Sequence, residues 1–166
     1  QPYATKIGHV YDVGDYGTAL DKALAVAKYS EARAEQAERR KRGDKIQLGI
    51  GVSVYVEITG GVDPMQEHAK VNVLPNGKAV VYTGTSPHGQ GHVTSWAMIA
   101  SSETGISIED IDVVWGDTDL VPSGGGTMGS RSLQHGGAAV QKVSIELVDE
   151  ARKQAAKLLE ANESDV

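Results

Sequence analysis

The sequence contains no cysteine among its 166 residues. Disulfides, iron–sulfur clusters and thiolate-bound zinc therefore have no ligands in this chain alone. Any electrons moved in its vicinity must be carried by something else. No apolar run approaches the roughly 18 residues needed to span a bilayer. The opening Gln1-Pro2-Tyr3-Ala4-Thr5-Lys6 also lacks the charged-then-apolar pattern of a signal peptide, so a soluble, cytoplasmic chain is expected. Aromatic residues are scarce at 5%, and positive charge is in deficit, with a formal net charge of -6. The basic residues gather mainly in Arg33, Arg39, Arg40, Lys41, Arg42 and Lys45 and are not interleaved with aromatics. That pattern argues against a nucleic-acid surface, which needs a positive field and stacking platforms. An initiator methionine is missing too, and the chain is expected to be an excised segment.

What remains is ordinary for one globular core: 40% hydrophobic and 23% charged residues. From Thr18 to Arg42 the sequence is rich in Ala, Glu, Lys and Arg, with Thr18 as N-cap and Gly43 as stop, which predicts one helix. Its apolar residues thin out after Tyr29, so residues 1–43 read as a detached appendage and linker to a domain over 44–166. Ile46, Leu48, Ile50, Val52, Val54, Val56 and Ile58 then occupy every second position, the period of a half-buried strand. After a turn at 60–64, the runs 69–74 and 78–83 flank Asn76-Gly77, a hairpin signal in which both turn residues take positive φ. A helix follows with Val93, Trp96, Ala97, Ala100 and Thr104 on one face, ending at Gly105. A short strand is expected at 111–115, then a loop from 116 to 127. A long amphipathic helix runs through Val140, Val143, Leu147, Val148, Ala151, Ala155, Leu158 and Leu159. The fold class expected is α+β, an antiparallel or mixed sheet with a hairpin, packed on two helices.

Twice the pattern is strand, glycine-rich loop, helix. The first loop is Thr83-Gly84-Thr85-Ser86-Pro87-His88-Gly89-Gln90-Gly91-His92; the second is Gly124-Gly125-Gly126-Thr127-Met128-Gly129-Ser130-Arg131-Ser132. Glycine permits close backbone approach and positive φ, and a helix start offers free N–H groups with partial positive charge. Such elements suit a phosphate or pyrophosphate, and Thr127, Ser130, Ser132 and Arg131 add donors. Each loop alone is compatible with a tight turn that binds nothing. Neither is Gly-x-x-x-x-Gly-Lys-Ser/Thr or Gly-x-Gly-x-x-Gly, so a nucleoside triphosphatase or Rossmann site has no support. His88 and His92 are four apart, a metal-ligand spacing, but Gly89 and Gly91 place His88 in the loop, and His92 reads as a first-turn residue bonded to backbone or water. Gly116-Asp117-Thr118-Asp119 reads as a turn in which side chains cap the backbone.

These motifs, in this order and spacing, resemble the molybdopterin-binding part of the large subunits of the xanthine dehydrogenase, aldehyde oxidase and aerobic carbon monoxide dehydrogenase family. The Ser86-Pro87-His88 and Gly129-Ser130-Arg131-Ser132 wording is nearer to the carbon monoxide dehydrogenase-like branch. The resemblance implies a molybdopterin dinucleotide bound by His88, Gly89, Gln90, Gly91, Thr127, Gly129, Ser130, Arg131 and Ser132. In it, Gly89, Gln90 and Gly91 lie at the pterin, and Thr127, Ser130 and Ser132 at the pyrophosphate, with Arg131 reaching the same phosphates. It implies oxidative hydroxylation of CO, an aldehyde or an N-heterocycle, with electrons leaving through iron–sulfur and flavin partners.

The family's catalytic base and other cofactor-contacting loops lie outside the matching region. The resemblance therefore implies no catalytic and no metal-ligating residue in this chain, no activity of the chain by itself, weak or no hold on the cofactor, and self-association through surfaces that the rest of the subunit covers. Two other readings use the same residues: a non-catalytic nucleotide-phosphate-binding module, and a metal-dependent hydrolase built on His88, His92 and Asp117.

Overall fold

The computed structural model describes residues 2–60 and 66–166. The chain divides into two compact units, Gln1–Tyr55 and Val56–Val166. The first begins with a two-stranded antiparallel ribbon, β1 (Tyr3–Ala4) against β2 (Val10–Tyr11). Two helices follow, α1 (Tyr16–Val26) and α2 (Tyr29–Arg42), where the composition predicts one. The interruption is at Lys28, which takes a left-handed φ of 51°; helix-forming composition over the whole stretch does not reveal it. The N-cap is Asp15, whose carboxylate accepts the Thr18 N–H at 3.1 Å; Thr18 itself lies inside the helix. Gly43 is the stop expected, at φ 69°, donating its N–H back to the end of α2.

The clearest periodicity in the sequence does not become a strand. Among the described residues, the run 46–58 has no ladder partner, and every residue from 51 to 59 is exposed. Val54 is 65% and Ile46 77% accessible. Alternation reports what a strand would bury if it were paired, and among the described residues no strand pairs with this run. The turn expected at 60–64 lies, apart from Gly60, outside the described residues.

The second unit is built on a three-stranded sheet in the order β3 (Ala69–Val73), β4 (Ala79–Thr83), β5 (Ile111–Val114). β3 and β4 form the predicted hairpin, with Val71 opposite Val81. Only Gly77 of the Asn-Gly pair has positive φ, 83°. Pro75 and Asn76 form a turn closed by the Gly77 N–H on the Leu74 C=O, and Gly77 is the left-handed residue that realigns the strands. β5 joins β4 in parallel, so the connection between them crosses the sheet, and it does so through α3 (His92–Thr104). The long α4 (Ala138–Leu159) packs on α3 and on β3. The α+β class, the hairpin and the packing on two helices are as expected, in a mixed sheet.

Alternate residues of β4, Ala79, Val81 and Thr83, are buried. They meet Trp96, Ala97 and Ala100 of α3 and Val140 of α4 to form the core. The buried stripe of α3 begins at His92, whereas Val93 is half-exposed; Leu158 and Leu159 end α4 in the open, contrary to the amphipathic reading. Ahead of α4 the residues Ser132–Gly137 make one wide, π-type turn. A Cβ on Gly136 would crowd Thr85 at 2.8 Å, and one on Gly137 would press on Leu133 and the ring of Trp96 at 3.1 and 3.2 Å.

Trp96 is thus the joint of the second unit, 1% exposed and bonded through its indole N–H to Thr85. Trp96→Ala is expected to cost about 3–5 kcal/mol, and Trp96→Phe less, in denaturant unfolding followed by circular dichroism; equal losses would mean that ring volume is not what the site requires.

Candidate functional site

The first loop leaves β4 through a buried hydroxyl pair. Thr83 and Thr85, 1% and 0% exposed, lie 2.9 Å apart through their Oγ1 atoms, and the Thr85 hydroxyl accepts the Trp96 indole N–H at 3.1 Å. From there the chain emerges, and His88, Gly89, Gln90 and Gly91 are all exposed. Gly89 and Gly91 have φ of 100° and 80°, and a Cβ on either would meet nothing within 4 Å. The positive φ demands glycine, while the open side is space that a ligand can use. Gln90 folds its carbonyl back to accept the His88 N–H. Gly91 is the residue before α3, which has no side-chain cap, so the first N–H groups of the helix are left for another acceptor.

The second loop carries a turn at Met128–Arg131, in which the Arg131 N–H reaches the Met128 C=O at 3.2 Å. Its central residues Gly129 and Ser130 have φ of 55° and 52°. The Gly129 C=O is held by the Gly60 N–H at 3.0 Å, and Gly60 C=O lies 3.2 Å from the His135 ring. Ser132 is buried and donates to the Thr127 hydroxyl at 3.2 Å.

Far apart in sequence, the loops touch. A Cβ on Gly84 would overlap the Cα of Gly124, and one on Gly124 the Cα of Gly84. Two contacting backbones without side chains bring the loop ends to one cavity of about 420 Å³, lined by His88, Gln90, His92, Thr127, Met128, Gly129, Ser130, Ser132 and Leu133. A second depression of about 300 Å³ lies between Gly84, Ser86, the 116–118 turn and Gly124.

Of the residues expected at a ligand, His88, Gln90, Thr127, Gly129, Ser130 and Ser132 line the cavity, and Gly89 and Gly91 belong to the same exposed loop. Arg131 is placed differently from the outward, phosphate-reaching arginine that the loop composition implies. Its side chain is 2% exposed and turned inward onto Glu67, 2.7 Å away and 1% exposed. Glu67 was missed in the sequence because it lies 64 positions from Arg131 and in no glycine motif. His92 was also missed as a lining residue; its ring lies 5.2 Å from that of Trp96, and its Nδ1 is buried with no hydrogen-bond partner. The Asp117 carboxylate caps its own turn, accepting the N–H of Asp119 at 2.9 Å and of Leu120 at 3.3 Å. Among the described residues no three His, Asp or Glu side chains converge as metal ligands, and no helix is long and apolar enough to cross a membrane.

The geometry suits a sizeable ligand that carries hydrogen-bond acceptors. The cavity is walled by backbone and hydroxyl donors and opens beside a helix start without a side-chain cap. Comparison with known proteins agrees. Residues 22–166 match the family described as the molybdopterin cofactor-binding domain. The carbon monoxide dehydrogenase large chain of Hydrogenophaga pseudoflava is 42% identical over 99% of this chain and 22% of its own length. Among solved structures, a CO dehydrogenase from Oligotropha carboxidovorans (38% identity, TM-score 0.62) and the quinoline 2-oxidoreductase of Pseudomonas putida 86 (30% identity, TM-score 0.63) each align with 99% of this chain and 22% of theirs. The chain belongs to the molybdopterin cofactor-binding domain family of the molybdenum hydroxylases, and it spans about 22% of the length of the relatives it matches.

Burial, and then the nearby His88, hold the His92 imidazole below its ordinary pKa of 6.5. As pH falls through 6.5 the unfolded chain takes up this proton before the folded one does, so acidification lowers stability through His92. Proton NMR titration of the ring is expected to give a midpoint under 6.5 and, in His92→Phe, a shallower acid loss of stability; a midpoint at or above the ordinary value would contradict the burial argument.

Proposed function

We propose that the chain is the part of a molybdenum hydroxylase large subunit that cradles a molybdopterin dinucleotide between its two glycine loops. The observation that carries this reading is the convergence of both loops on one cavity, made possible by the contact of Gly84 with Gly124. Gly89 and Gly91 let the backbone approach the pterin, with His88 and Gln90 beside it. Thr127, Gly129, Ser130 and Ser132 offer N–H and O–H donors to the pyrophosphate. With Arg131 turned inward, the anion is met by neutral dipoles, which lose less on desolvation than a buried lone charge would. His92 holds a neutral ring at the start of α3.

When bound, the cofactor supplies the two-electron redox chemistry of a hydroxylation, and the protein supplies orientation and exclusion of water. The remainder of the large subunit, together with iron–sulfur and flavin partners, completes the enzyme. Its substrate is CO, an aldehyde or an N-heterocycle. Greater identity to carbon monoxide dehydrogenase large chains, 42% and 37%, than to a xanthine dehydrogenase, 30%, favours the first branch.

Acid extraction of the full-length enzyme, purified with its partners, is expected to release one pterin and one nucleotide per large subunit, with one molybdenum. In Gly91→Val, strain at φ 80° is expected to lower that content by about tenfold, the equivalent of about 1.4 kcal/mol. Nucleotide without pterin in the wild type would instead support a phosphate-binding module. The chain by itself, supplied with cofactor, is expected to oxidise none of the three substrate classes; turnover in that assay would refute the need for the rest of the subunit.

A further inference from the structure

The Glu67–Arg131 pair is formed by side chains 1% and 2% exposed. Two opposite charges withdrawn from water gain little net stability, and an apolar pair of similar volume often does as well. Their bonds point to another role. The Glu67 carboxylate accepts the Gly125 N–H through both oxygens, at 3.1 Å each, while Arg131 Nη1 donates to the Gly126 C=O at 2.8 Å as well as to Glu67 at 2.7 Å. The pair therefore holds the donor of one residue and the acceptor of the next in the second glycine loop. Gly125 has no room for a side chain because the guanidinium packs directly on its Cα, and a Cβ on Gly84 of the first loop would strike the Glu67 carboxylate. Since Arg131 follows Gly129 and Ser130 directly, drawing its side chain inward leaves those two residues, with their positive φ, on the outer face that lines the cavity.

We propose that Glu67, acting through Arg131, is the positioning residue of the phosphate loop: the buried pair sets the register in which both glycine loops present their donors, and it does so without touching the ligand. This rests on the cofactor reading given above. It assigns a role to a residue outside both glycine motifs, and it gives Arg131 a different role from phosphate contact.

The test compares Glu67→Gln, Arg131→Met and the double variant in the full-length enzyme with its partners. Three quantities are measured: thermal midpoint, pterin and nucleotide content after acid release, and the phosphorus NMR signals of the bound pyrophosphate. Each single variant removes the ion pair while leaving the other charge buried, and both midpoint and cofactor content are expected to fall, content by about tenfold. The double variant is expected to recover the midpoint while its content stays low and the residual pyrophosphate signals stay displaced, because the Gly126 C=O has lost its donor. Recovery of content and signals together with the midpoint would overturn the proposal, as would wild-type content in either single variant. A double variant that does not fold would overturn it too, since the pair would then serve the fold and not the loop. Absence of pterin from the wild-type enzyme would instead overturn the cofactor reading itself.

Discussion

Two backbones in contact without side chains between them are the constraint on which the second unit's architecture depends. Gly84 and Gly124 approach so closely that a methyl group on either would overlap the other's Cα. β4 leads into one of these glycines, and the loop after β5 leads into the other. Their contact is what turns two separate glycine loops into the walls of a single cavity. Two sets of buried polar groups adjoin these loops, the Thr83–Thr85–Trp96 chain and the Glu67–Arg131 pair. Most buried polar groups in folded proteins are hydrogen-bonded, and here each of these sets holds one loop.

Much of this was legible in the sequence, and each failure has its own physical cause. The hairpin, α3, β5, α4 and both loops follow from local pattern, because their signals lie within the segment that folds. Asp15 was passed over in favour of Thr18 because either residue type can cap a helix. The break at Lys28 leaves no mark in composition. The run at 46–58 was misread in a more instructive way: alternation is a statement about a missing partner as much as about a strand. Asn76 was assigned a positive φ that belongs to Gly77 alone, because Pro75 ahead of it shifts the turn by one residue.

At the site, residue types announced an anion-binding loop, and six of the expected residues do line its cavity. Direction was not legible. Arg131 looked like a cation for phosphate because the sequence does not say which way a loop side chain points. Its partner Glu67 stands before β3, beyond the reach of any spacing argument, and His92 looked like a solvated first-turn residue although it is 6% exposed. Inward charges beside a cavity are easily mistaken for ligands; burial of the partner is what distinguishes a brace from a contact.

The wide turn at Ser132–Gly137 has a consequence of its own. An α-helix advances about 100° per residue, so the residue accommodated in that turn sets the rotational phase at which α4 begins. With it, Val140 and Ser144 face inward at 0% exposure. Loss of one residue there would rotate the whole of α4 against the sheet by more than a quarter of a revolution, and would draw Ser132 away from Thr127 as the helix turned. The second glycine loop and the core are therefore geared together, and a change in the helix's angular setting would be felt as a change in the loop.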